Sequence, residues 1–482
     1  MTVTSPSSTA APPRPARRPR GSTTGLVLAV AAASIPMFMA SLDNLVMTMA
    51  LPVLRVELGA SLDQLQWMVN SFTLTFATGM IAAATLGDRW GRRRIFLAGI
   101  VVFALASIAS ALATTAGALI AARTVQGVGA AAIMPLSLTL LASAVPPARR
   151  AMAIGIWGGI SGLGVALGPV IGGAVVDGIS WQAIFWINVP IAVVSIPLVL
   201  RALPESYGRR ELLDVRGLAL VGAAVFALVW GVVHGNDDGW GSFGVVGPLV
   251  LSGLLLAAFV AHESRVAHPL VPLRLFRIRS FSVANIVSLA FAIGVFGAVF
   301  LLAQYMQVVL GYSPLEAGLR TLPWTGAPMI VAPIAGLLAS RVGVRVLLTS
   351  GLVLQVAGLV WLAFASDPSV SYSTLIPGLV LAGTGMGLTF APISTAVLAE
   401  MPEHDHGTAS STNATVREIG VALGVAVIVA VFQGAGGAIS PTGFDAGLQV
   451  ALLVGAAIVG AGAIASLAMP GWSGRRLPVA AA

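Results

Sequence analysis

Long apolar segments, separated by short polar stretches, recur along the whole chain. A helix that crosses the ~30 Å hydrocarbon core of a bilayer needs about 20 mostly apolar residues. Fourteen segments have roughly this length, and they lie near residues 25–51, 62–86, 95–112, 118–145, 151–175, 183–202, 217–235, 244–261, 281–302, 316–340, 345–365, 373–399, 408–432 and 446–469. The pattern predicts an all-α integral membrane protein with fourteen transmembrane helices.

The charged residues lie mainly between these segments. Only 9% of residues are charged, against about 25% in soluble proteins. An even number of spans places both termini on the same side of the membrane. Of the arginines in predicted loops, only Arg55 and Arg320 lie on the opposite side. Because arginine-rich loops stay in the cytoplasm, both termini are predicted to be cytoplasmic. All 26 basic residues are arginine, and we interpret this, together with the abundant alanine and glycine, as the mark of a bacterial genome of high GC content. The predicted location is therefore a bacterial plasma membrane.

A weak internal repeat divides the chain. GDRWGRRR at 87–94 joins the second and third spans, and SRVGVR at 340–345 joins the tenth and eleventh. These loops would be equivalent in two six-helix bundles with the seventh and eighth spans inserted between them, and transporters often bind substrate between such halves. The predicted organisation is a disordered cytoplasmic tail at 1–24, an N-terminal bundle at 25–202, a linker with the inserted helices at 203–280, a C-terminal bundle at 281–470 and a second tail at 471–482.

The fifth span is unusually rich in glycine. Eight of the nineteen residues at 155–173, GIWGGISGLGVALGPVIGG, are glycine. In water, each glycine destabilises a helix by ~1 kcal/mol relative to alanine. In a bilayer the backbone N–H and C=O groups must hydrogen-bond to each other, so a helix is still expected. At about 100° per residue, one stripe contains Gly164, Gly168 and Gly172, and the opposite face contains Gly155, Gly159, Gly162 and Gly173. Both faces are predicted to contact neighbouring helices closely, and Pro169 is predicted to bend the helix.

Charged residues inside spans are the strongest candidates for chemistry. Arg123 in the fourth span costs ~2.5–3.5 kcal/mol to insert unless it is paired, and Asp43 in the first span lies at a similar predicted depth. Asp43 is the first candidate for a proton-carrying carboxylate with Arg123 as its partner. The alternative is a static pair that only fixes helix packing.

Glu418, near the middle of the thirteenth span, is the next candidate. Its neighbour Arg417 points about 100° away on a helix and is not automatically its partner. Glu418 could handle a proton or cation, or it could be a neutral acid that lines a cavity. Glu316 and Arg320, four residues apart, are predicted to form an ordinary helix-surface pair.

The loop at 87–94 has two interpretations. Its arginines fix topology, and Asp88 could also contact the other bundle and lock one conformation. The residues for that conformational role are Asp88, Arg89, Gly91 and Arg92.

A substrate cavity should be largely apolar and aromatic with a few polar groups. The predicted lining residues are Asn44, Gln66, Trp67, Asn70, Gln126, Trp157, Gln304, Tyr305, Gln307 and Trp324. Because tryptophan often anchors a helix at the membrane interface, Trp67 and Trp324 are expected to be the weakest members of this set.

Four motifs resemble the major facilitator superfamily. Gly155, Gly164 and the run 168–173 match the antiporter motif in the fifth helix of its proton-driven drug exporters. The pattern LxxxRxxQGxGAA at 119–131 matches the fourth-helix motif, and 87–94 resembles the signature loop credited with a conformational lock, although Ala84 stands where a glycine is usual.

Residues 42–52 resemble the first-helix motif of the fourteen-helix drug:proton antiporters, with Leu45 and Thr48 in place of Thr and Asn. Those two departures leave the motif's acid, Asp43, in place but change the polar groups beside it. Glu418 is a further departure, since the family often has Gln there. The resemblance implies export by exchange.

The predicted function is therefore proton-coupled antiport that exports hydrophobic drugs or antibiotics by alternating access. The expected partners are a small hydrophobic or cationic drug, protons and the lipid bilayer. The alternatives are a proton-coupled uptake or metabolite carrier of the same fold, or a membrane receptor or scaffold. The sequence has no cysteine and no visible nucleophile–base pair, metal cluster or nucleotide loop, so no enzyme, cofactor or metal site is expected. Because the arginines are scattered at the ends of apolar runs, no nucleic-acid binding is expected either.

Overall fold

The computed structural model describes residues 23–208, 213–267, 269–402, 405–440 and 443–470. The predicted tail at 471–482 lies outside the described residues. So does the tail at 1–24, except for its last two residues, which begin the first helix.

The described residues form α-helices joined by short connections. The helices are α1 Thr23–Glu57, α2 Leu62–Trp90, α3 Arg92–Ala111, α4 Ala116–Ala144, α5 Pro147–Gly178, α6 Ala183–Trp186, α7 Asn188–Ala202, α8 Val215–Val233, α9 Phe243–Glu263, α10 Arg279–Gln304, α11 Pro314–Arg320, α12 Leu322–Thr325, α13 Ala327–Val342, α14 Val344–Ala365, α15 Tyr372–Leu398, α16 His406–Gly434 and α17 Phe444–Ser466. A 3₁₀ turn at Leu273–Arg277 precedes α10, and a π-helical turn at Tyr305–Val309 ends it. Among the described residues, fourteen helical stretches are long and apolar enough to cross a membrane, so the predicted fold class is confirmed.

Two predicted spans are interrupted. The tenth consists of α11, α12 and α13, and the sixth of α6 and α7. Pro323 and Pro328 stand in the first turns of α12 and α13. Since proline has no N–H to donate to the preceding turn, each begins a new helix more readily than it continues an old one.

Two glycines mark equivalent places in the chain. Gly91 alone separates α2 from α3 with φ 110°, and Gly343 alone separates α13 from α14 with φ 91°. Both dihedrals lie in a region that other residues rarely adopt. The two predicted repeat loops therefore make the same sharp turn, and we call their side of the molecule the arginine-rich side.

Helix packing repeats in the two halves of the chain. The pairs α1–α5, α2–α4 and α3–α4 pack closely, and so do their counterparts α10–α16, α13–α15 and α14–α15. We call α1–α7 the N bundle and α10–α17 the C bundle. The domain boundaries given above remain predictions.

Two seams join the bundles. In the first seam α2 packs on α16, and in the second α5 packs on α11, α12 and α13. The inserted helices α8 and α9 form a hairpin whose α8 packs on both α2 and α16. The first seam is therefore covered by the insertion.

Candidate functional site

A buried ion pair lies inside the N bundle. Asp43 on α1 and Arg123 on α4 are only 5% and 1% exposed, and Arg123 Nη1 donates a hydrogen bond to Asp43 Oδ2. Nη1 also donates to Gln126 Oε1 at 2.9 Å, and Nε donates to the Met68 carbonyl at 3.3 Å. The guanidinium carbon lies 4.1 Å from the centroid of the Phe72 ring, at cation–π distance. The two charges that the sequence places at similar depth thus contact each other.

The other carboxylate oxygen has two further donors. Asp43 Oδ1 accepts from Gln126 Nε2 at 2.8 Å and from Asn188 Nδ2 at 2.9 Å. Both amide nitrogens also reach Ser107 Oγ, at 2.9 and 3.2 Å. Each oxygen of this buried carboxylate therefore has at least one hydrogen-bond donor, as burial of a carboxylate requires. Gln126, which is predicted to bind substrate, is part of this network.

Sequence reasoning missed Asn188 and Ser107. Asn188 on α7 and Ser107 on α3 are 1% and 0% exposed, and together they tie the network to two more helices. Asn188 is the single amide side chain in the sixth span. A primary amide in an apolar helix needs a buried partner, so that signal was available.

The fourth-helix motif brings the neighbouring helices close to Arg123. A Cβ added at Gly127 would lie 2.4 Å from the Phe72 carbonyl oxygen of α2, and one at Gly129 would lie 2.6 Å from the Phe103 amide nitrogen of α3. Real Cβ atoms essentially never come within 3.0 Å of such atoms. The motif's glycines therefore fix the position of the arginine between α2 and α3.

One glycine stripe of α5 packs on α1. Cβ atoms at Gly164, Gly168 and Gly172 would lie 3.0, 2.8 and 2.9 Å from backbone or side-chain atoms of α1. The nearest atoms at Gly168 and Gly172 belong to Leu45 and Val46, two and three residues after Asp43 in the chain. The predicted close contact on this face is confirmed.

The opposite face of α5 is packed only at one end. A Cβ at Gly173 would lie 2.2 Å from the Pro314 carbonyl oxygen of α11. At Gly155, Gly159 and Gly162 it would meet nothing within 4 Å. The prediction of close contact along this whole face is therefore wrong for the present conformation, because the bundles touch at one end of α5 and separate toward the other.

Further contacts join the bundles on the side away from the arginine-rich loops. Gln307 Nε2 donates to the Met49 carbonyl at 3.3 Å, and Arg55 Nη1 donates to the Ile439 carbonyl. A Cβ at Gly318 of α11 would lie 2.3 Å from the Pro169 carbonyl oxygen. This side is closed.

The loop at 87–94 contacts its own bundle. Arg92 Nε donates to Asp88 Oδ1 at 2.6 Å, and the amide of Gly208 donates to the Asp88 carbonyl at 3.1 Å. The backbone N–H of Arg93 donates to Glu205 Oε1 at 2.8 Å, while Arg89 is exposed. The loop is therefore fastened to the chain that follows α7.

Glu418 has one bonded and one free oxygen. It is 5% exposed on α16, and Arg417 Nη2 lies 3.1 Å from its Oε1. Its Oε2 is buried without a hydrogen-bond partner. Arg417 is thus its partner in spite of the unfavourable helical spacing. The predicted surface pair of Glu316 and Arg320 is present at 3.9 Å.

The predicted cavity-lining residues fall into three groups. Asn44 lines a cavity between the bundles, and Gln307 bridges them. The side chains of Gln66, Asn70, Gln304 and Trp324 are almost fully buried and carry polar atoms with no partner. Tyr305, Trp157 and Trp67 are packed elsewhere: Tyr305 donates to the Asp367 carbonyl, Trp157 donates to Ser137, and Trp67 lies among aromatic residues of α8.

Two small adjacent apolar cavities lie where the bundles meet, each with a volume of about 10 Å³, which is room for about one water molecule. Asn44, Thr48 and Val69 line the first, Pro169 and Trp324 line the second, and Val299 lines both. Small-molecule pockets usually measure ~300–1,000 Å³, so neither cavity is large enough for a drug-sized ligand in this conformation. Two bundles with the same helix packing, which meet at a shared interface, form the architecture of a membrane transporter.

The chain belongs to the Major Facilitator Superfamily, whose family model matches residues 33–425. Its curated relatives include a Mycobacterium tuberculosis multidrug resistance protein, Stp, which is 38% identical over 83% of this chain and 75% of its own length. The tetracenomycin C resistance and export protein of Streptomyces glaucescens is 34% identical over 86% of this chain and 77% of its own length. The cephamycin export protein of Amycolatopsis lactamdurans is 36% identical over 87% of this chain and 86% of its own length.

Solved structures support the same fold. The Escherichia coli xylose transporter XylE, in a partially occluded inward-open conformation, has a TM-score of 0.64 at 14% identity, covering 94% of this chain and 100% of its own. An inward-facing bacterial homologue of the human lysosomal transporter Spinster has a TM-score of 0.64 at 18% identity with the same coverage. Fourteen apolar helices in the described part of the chain, together with the bacterial relatives, confirm the prediction of a multi-pass bacterial plasma-membrane protein.

Proposed function

We propose that this protein is a proton-coupled antiporter that exports hydrophobic drugs or antibiotics by alternating access. The relatives named for drug resistance and export support the direction of transport. We also propose that the arginine-rich side is cytoplasmic, as the arginine distribution predicts. The bundles, joined on one side and separated on the other, would then be in an inward-facing conformation.

The observation that carries the coupling proposal is the hydrogen-bond network of Asp43. Its carboxylate accepts hydrogen bonds from Arg123 and Gln126 of α4 and from Asn188 of α7, and the Asn188 amide also donates to Ser107 of α3. A proton bound to Asp43 would weaken the ion pair with Arg123 and the donors that hold α1 in place. Proton binding would therefore change how α1 sits against its neighbours.

The same helix connects the ion pair to the bundle interface. The turn after Asp43 packs on Gly168 and Gly172 of α5, and the opposite face of α5 packs on Pro314 of α11 through Gly173. A movement of α1 would therefore move α5 through these contacts, and α5 would in turn displace α11 of the C bundle. Asp88, Arg89, Gly91 and Arg92 would hold the arginine-rich side closed in the other conformation.

Substrate would bind between the bundles. A buried amide without a partner costs ~1–3 kcal/mol, and Gln66 and Asn70 on α2 each leave both of their side-chain polar atoms unpaired. A ligand that bonds to these amides would remove that cost. The free oxygen of Glu418 offers an acceptor for a proton or a cationic group.

The driving force is sufficient. One charge that moves through 100 mV releases ~2.3 kcal/mol, and one pH unit adds ~1.4 kcal/mol. One proton per neutral molecule would therefore sustain a substrate gradient of roughly several hundred-fold.

Transport in proteoliposomes with an imposed pH gradient tests the proposal across a panel of lipophilic dyes and antibiotics. We expect uptake into vesicles with an acidic lumen that a protonophore abolishes. Gradient-independent movement of every compound in the panel would contradict proton coupling.

Replacing the coupling carboxylate tests its role separately. Asp43→Asn should lose gradient-driven transport but keep substrate counterflow, which needs no net proton movement. Asp43→Glu should retain coupling because it keeps the carboxylate, and Asp238→Asn, in the exposed α8–α9 loop, is the matched control. Undiminished gradient-driven transport by Asp43→Asn would remove Asp43 from the mechanism.

A further inference from the structure

The turn of the inserted hairpin lies against both bundles on the side away from the arginine-rich loops. Near it, Trp67 of α2 packs against Phe226 and Trp230 of α8, with ring centroids 5.4 and 5.7 Å apart. In the turn itself, Asn236 Nδ2 donates a hydrogen bond to the Ala430 carbonyl of α16 at 2.7 Å. Because the turn joins α2 of the N bundle to α16 of the C bundle, we call its residues, 234–242, the strap.

The strap is attached to the C bundle by groups that do not titrate. The Asn236 side chain is an amide, and the Ala430 group that it meets is a backbone carbonyl. Asn236 Oδ1 accepts a hydrogen bond from the Trp240 indole N–H at 3.0 Å, which fixes the orientation of the amide. None of these three groups gains or loses a proton near neutral pH. This attachment is therefore the same at acidic and at neutral pH.

The attachment to the N bundle depends on a proton. Asp63, in the first turn of α2, shares a side-chain hydrogen bond with Asp237 of the strap. Two ionised carboxylates are acceptors only, so this bond exists only while one of the two groups is protonated. No N–H or hydroxyl group donates to the buried Asp63 Oδ1, so an ionised Asp63 would have no compensating donor at that oxygen. When the shared proton is lost, two like charges face each other.

The other titratable groups that face Asp63 in the described part of the chain are His234 and Asp238, both in the strap. Protonated His234 would attract the negative charge of Asp63, and Asp238 repels it. The His234 ring stacks on Trp230 with ring centroids 4.2 Å apart, and its Nδ1 lies 3.0 Å from the Trp230 carbonyl oxygen. Since His234 is held by its own helix, the carboxyl pair is the contact with α2 that a proton makes or breaks.

We propose that the strap is an external pH switch. In acid, the proton shared by Asp63 and Asp237 lets the strap hold α2 and α16 together, which favours closure of the side away from the arginine-rich loops. As the external pH rises, the proton is lost, the strap releases α2 and that side opens more readily. The sign follows because the closed state contains the proton-dependent bond and therefore binds this proton more tightly than the open state does.

The switch regulates transport and does not drive it. A proton bound in the strap returns to the side from which it came, whereas the proton that drives export has to cross the membrane. An acidic exterior supplies the inward proton gradient, and under that condition the strap favours the conformation that is open to the cytoplasm. This inference rests on the proposed orientation and export function, so its test uses a chain that lacks the proposed coupling carboxylate.

Two distances between spin labels test the switch in Asp43→Asn, where titration of Asp43 cannot contribute. The chain has no cysteine, so labelled cysteine pairs can be placed at Val56 of α1, Gly241 of the strap and Ser369 of the C bundle, all exposed. The 56–241 distance reports attachment of the strap to the N bundle, and the 56–369 distance reports separation of the bundles. Between about pH 5 and about pH 8 in nanodiscs, we expect both to lengthen, and the ratio of closed to open molecules to fall about tenfold for one charge-assisted hydrogen bond.

Substitutions in the strap, added to the same background, identify the group that responds. Asp237→Asn keeps a hydrogen-bond donor to Asp63 at every pH, so both distances should stay short. Asp237→Ala removes the contact, so both distances should be long at every pH. Asp238→Asn and His234→Gln leave the carboxyl pair in place and should keep the response to pH.

The outcomes that contradict the switch are specific. A 56–369 distance that does not change with pH in Asp43→Asn would overturn the proposal, even if the 56–241 distance changes, because the strap would then not hold the bundles together. A response that survives Asp237→Ala, or that disappears in His234→Gln, would assign it to another group and would also overturn the proposal. Failure of the export function shows instead in the proteoliposome assay, which depends on neither distance.

Discussion

Two glycines on one face of α5 should control opposite conformations. Gly155 and Gly173 are about five helical turns apart, so they point the same way. At Gly173 this face meets Pro314 of the C bundle, whereas at Gly155 it meets nothing within 4 Å. We predict that Gly173→Leu disfavours the present conformation and that Gly155→Leu disfavours the alternative one, in which the arginine-rich side closes.

The magnitude follows from the contact distances. A Cβ at position 173 would lie 2.2 Å from the Pro314 carbonyl oxygen and 2.8 Å from the Leu315 Cα, whereas ordinary contacts begin near 3.4 Å. Overpacking of this kind costs ~1–3 kcal/mol, which changes a two-state ratio about 5- to 150-fold. The helix-propensity gain from replacing glycine is shared by both variants, so it cancels in their comparison.

Distances between spin labels on each side measure the balance. Val56 and Ser369 are exposed on the closed side, one in each bundle, and Arg149 and Arg345 are exposed on the arginine-rich side. For Gly173→Leu we expect a longer 56–369 distance and a shorter 149–345 distance. Gly155→Leu should keep the present distances even when substrate is added.

The control is a bulky residue that touches neither bundle interface. Gly253→Leu on α9, where an added Cβ meets nothing within 4 Å, should give the parental distance distributions. If Gly155→Leu and Gly173→Leu both match the parent, or both shift the same way, the α5 face does not take part in alternate closure.

Three further predictions concern stability and packing. Asn188→Ala removes a donor to a buried carboxylate, worth ~1.5–3 kcal/mol, so its melting temperature should fall more than that of Ser195→Ala, whose hydroxyl bonds only its own helix. Gly168→Leu, whose Cβ would lie 2.8 Å from an α1 side chain, should cost ~1–3 kcal/mol or more and lose transport beyond any loss of expression, whereas Ile160→Leu should be nearly silent. Burial acts to raise the pKa of Asp214, but hydrogen bonds from the Gly217 amide and His262 outweigh it and lower that pKa. The ionised group therefore stabilises the hairpin at neutral pH. When thermal melting is followed at decreasing pH, the melting temperature of the parent should fall as the pH drops through this pKa, and Asp214→Asn should not show that fall.

The sequence predicts those features that depend on the cost of polar groups in a bilayer. Fourteen spans follow from segment length, and the contact between Asp43 and Arg123 follows because a lone arginine is too expensive in a span. The same reasoning would have found Asn188. Apart from this one contact between α1 and α4, the sequence did not predict which helices are neighbours.

Trp67 illustrates that limit. Its position in the second span is compatible with a cavity wall, yet it packs under α8. Nothing local in the sequence shows that the inserted hairpin covers the α2–α16 seam, because α8 and α9 are apolar on all sides. Likewise, the break of the tenth span brings Pro314 and Gly318 against α5, and only the tertiary contact reveals why the prolines matter there.

The fifth helix needs glycine for two different physical reasons. On the face toward α1, Gly164, Gly168 and Gly172 make contacts within one bundle, which a two-bundle mechanism keeps in both conformations. On the other face the glycines belong to an interface between bundles, packed at Gly173 and open at Gly155. A side chain on the first face would separate α1 from α5 permanently, whereas one on the second face would oppose only one of the two conformations. One face of this glycine-rich helix can therefore stay packed within its bundle while the other face separates from the C bundle, and the packed face contacts the α1 residues that precede and follow the carboxylate proposed to carry the proton.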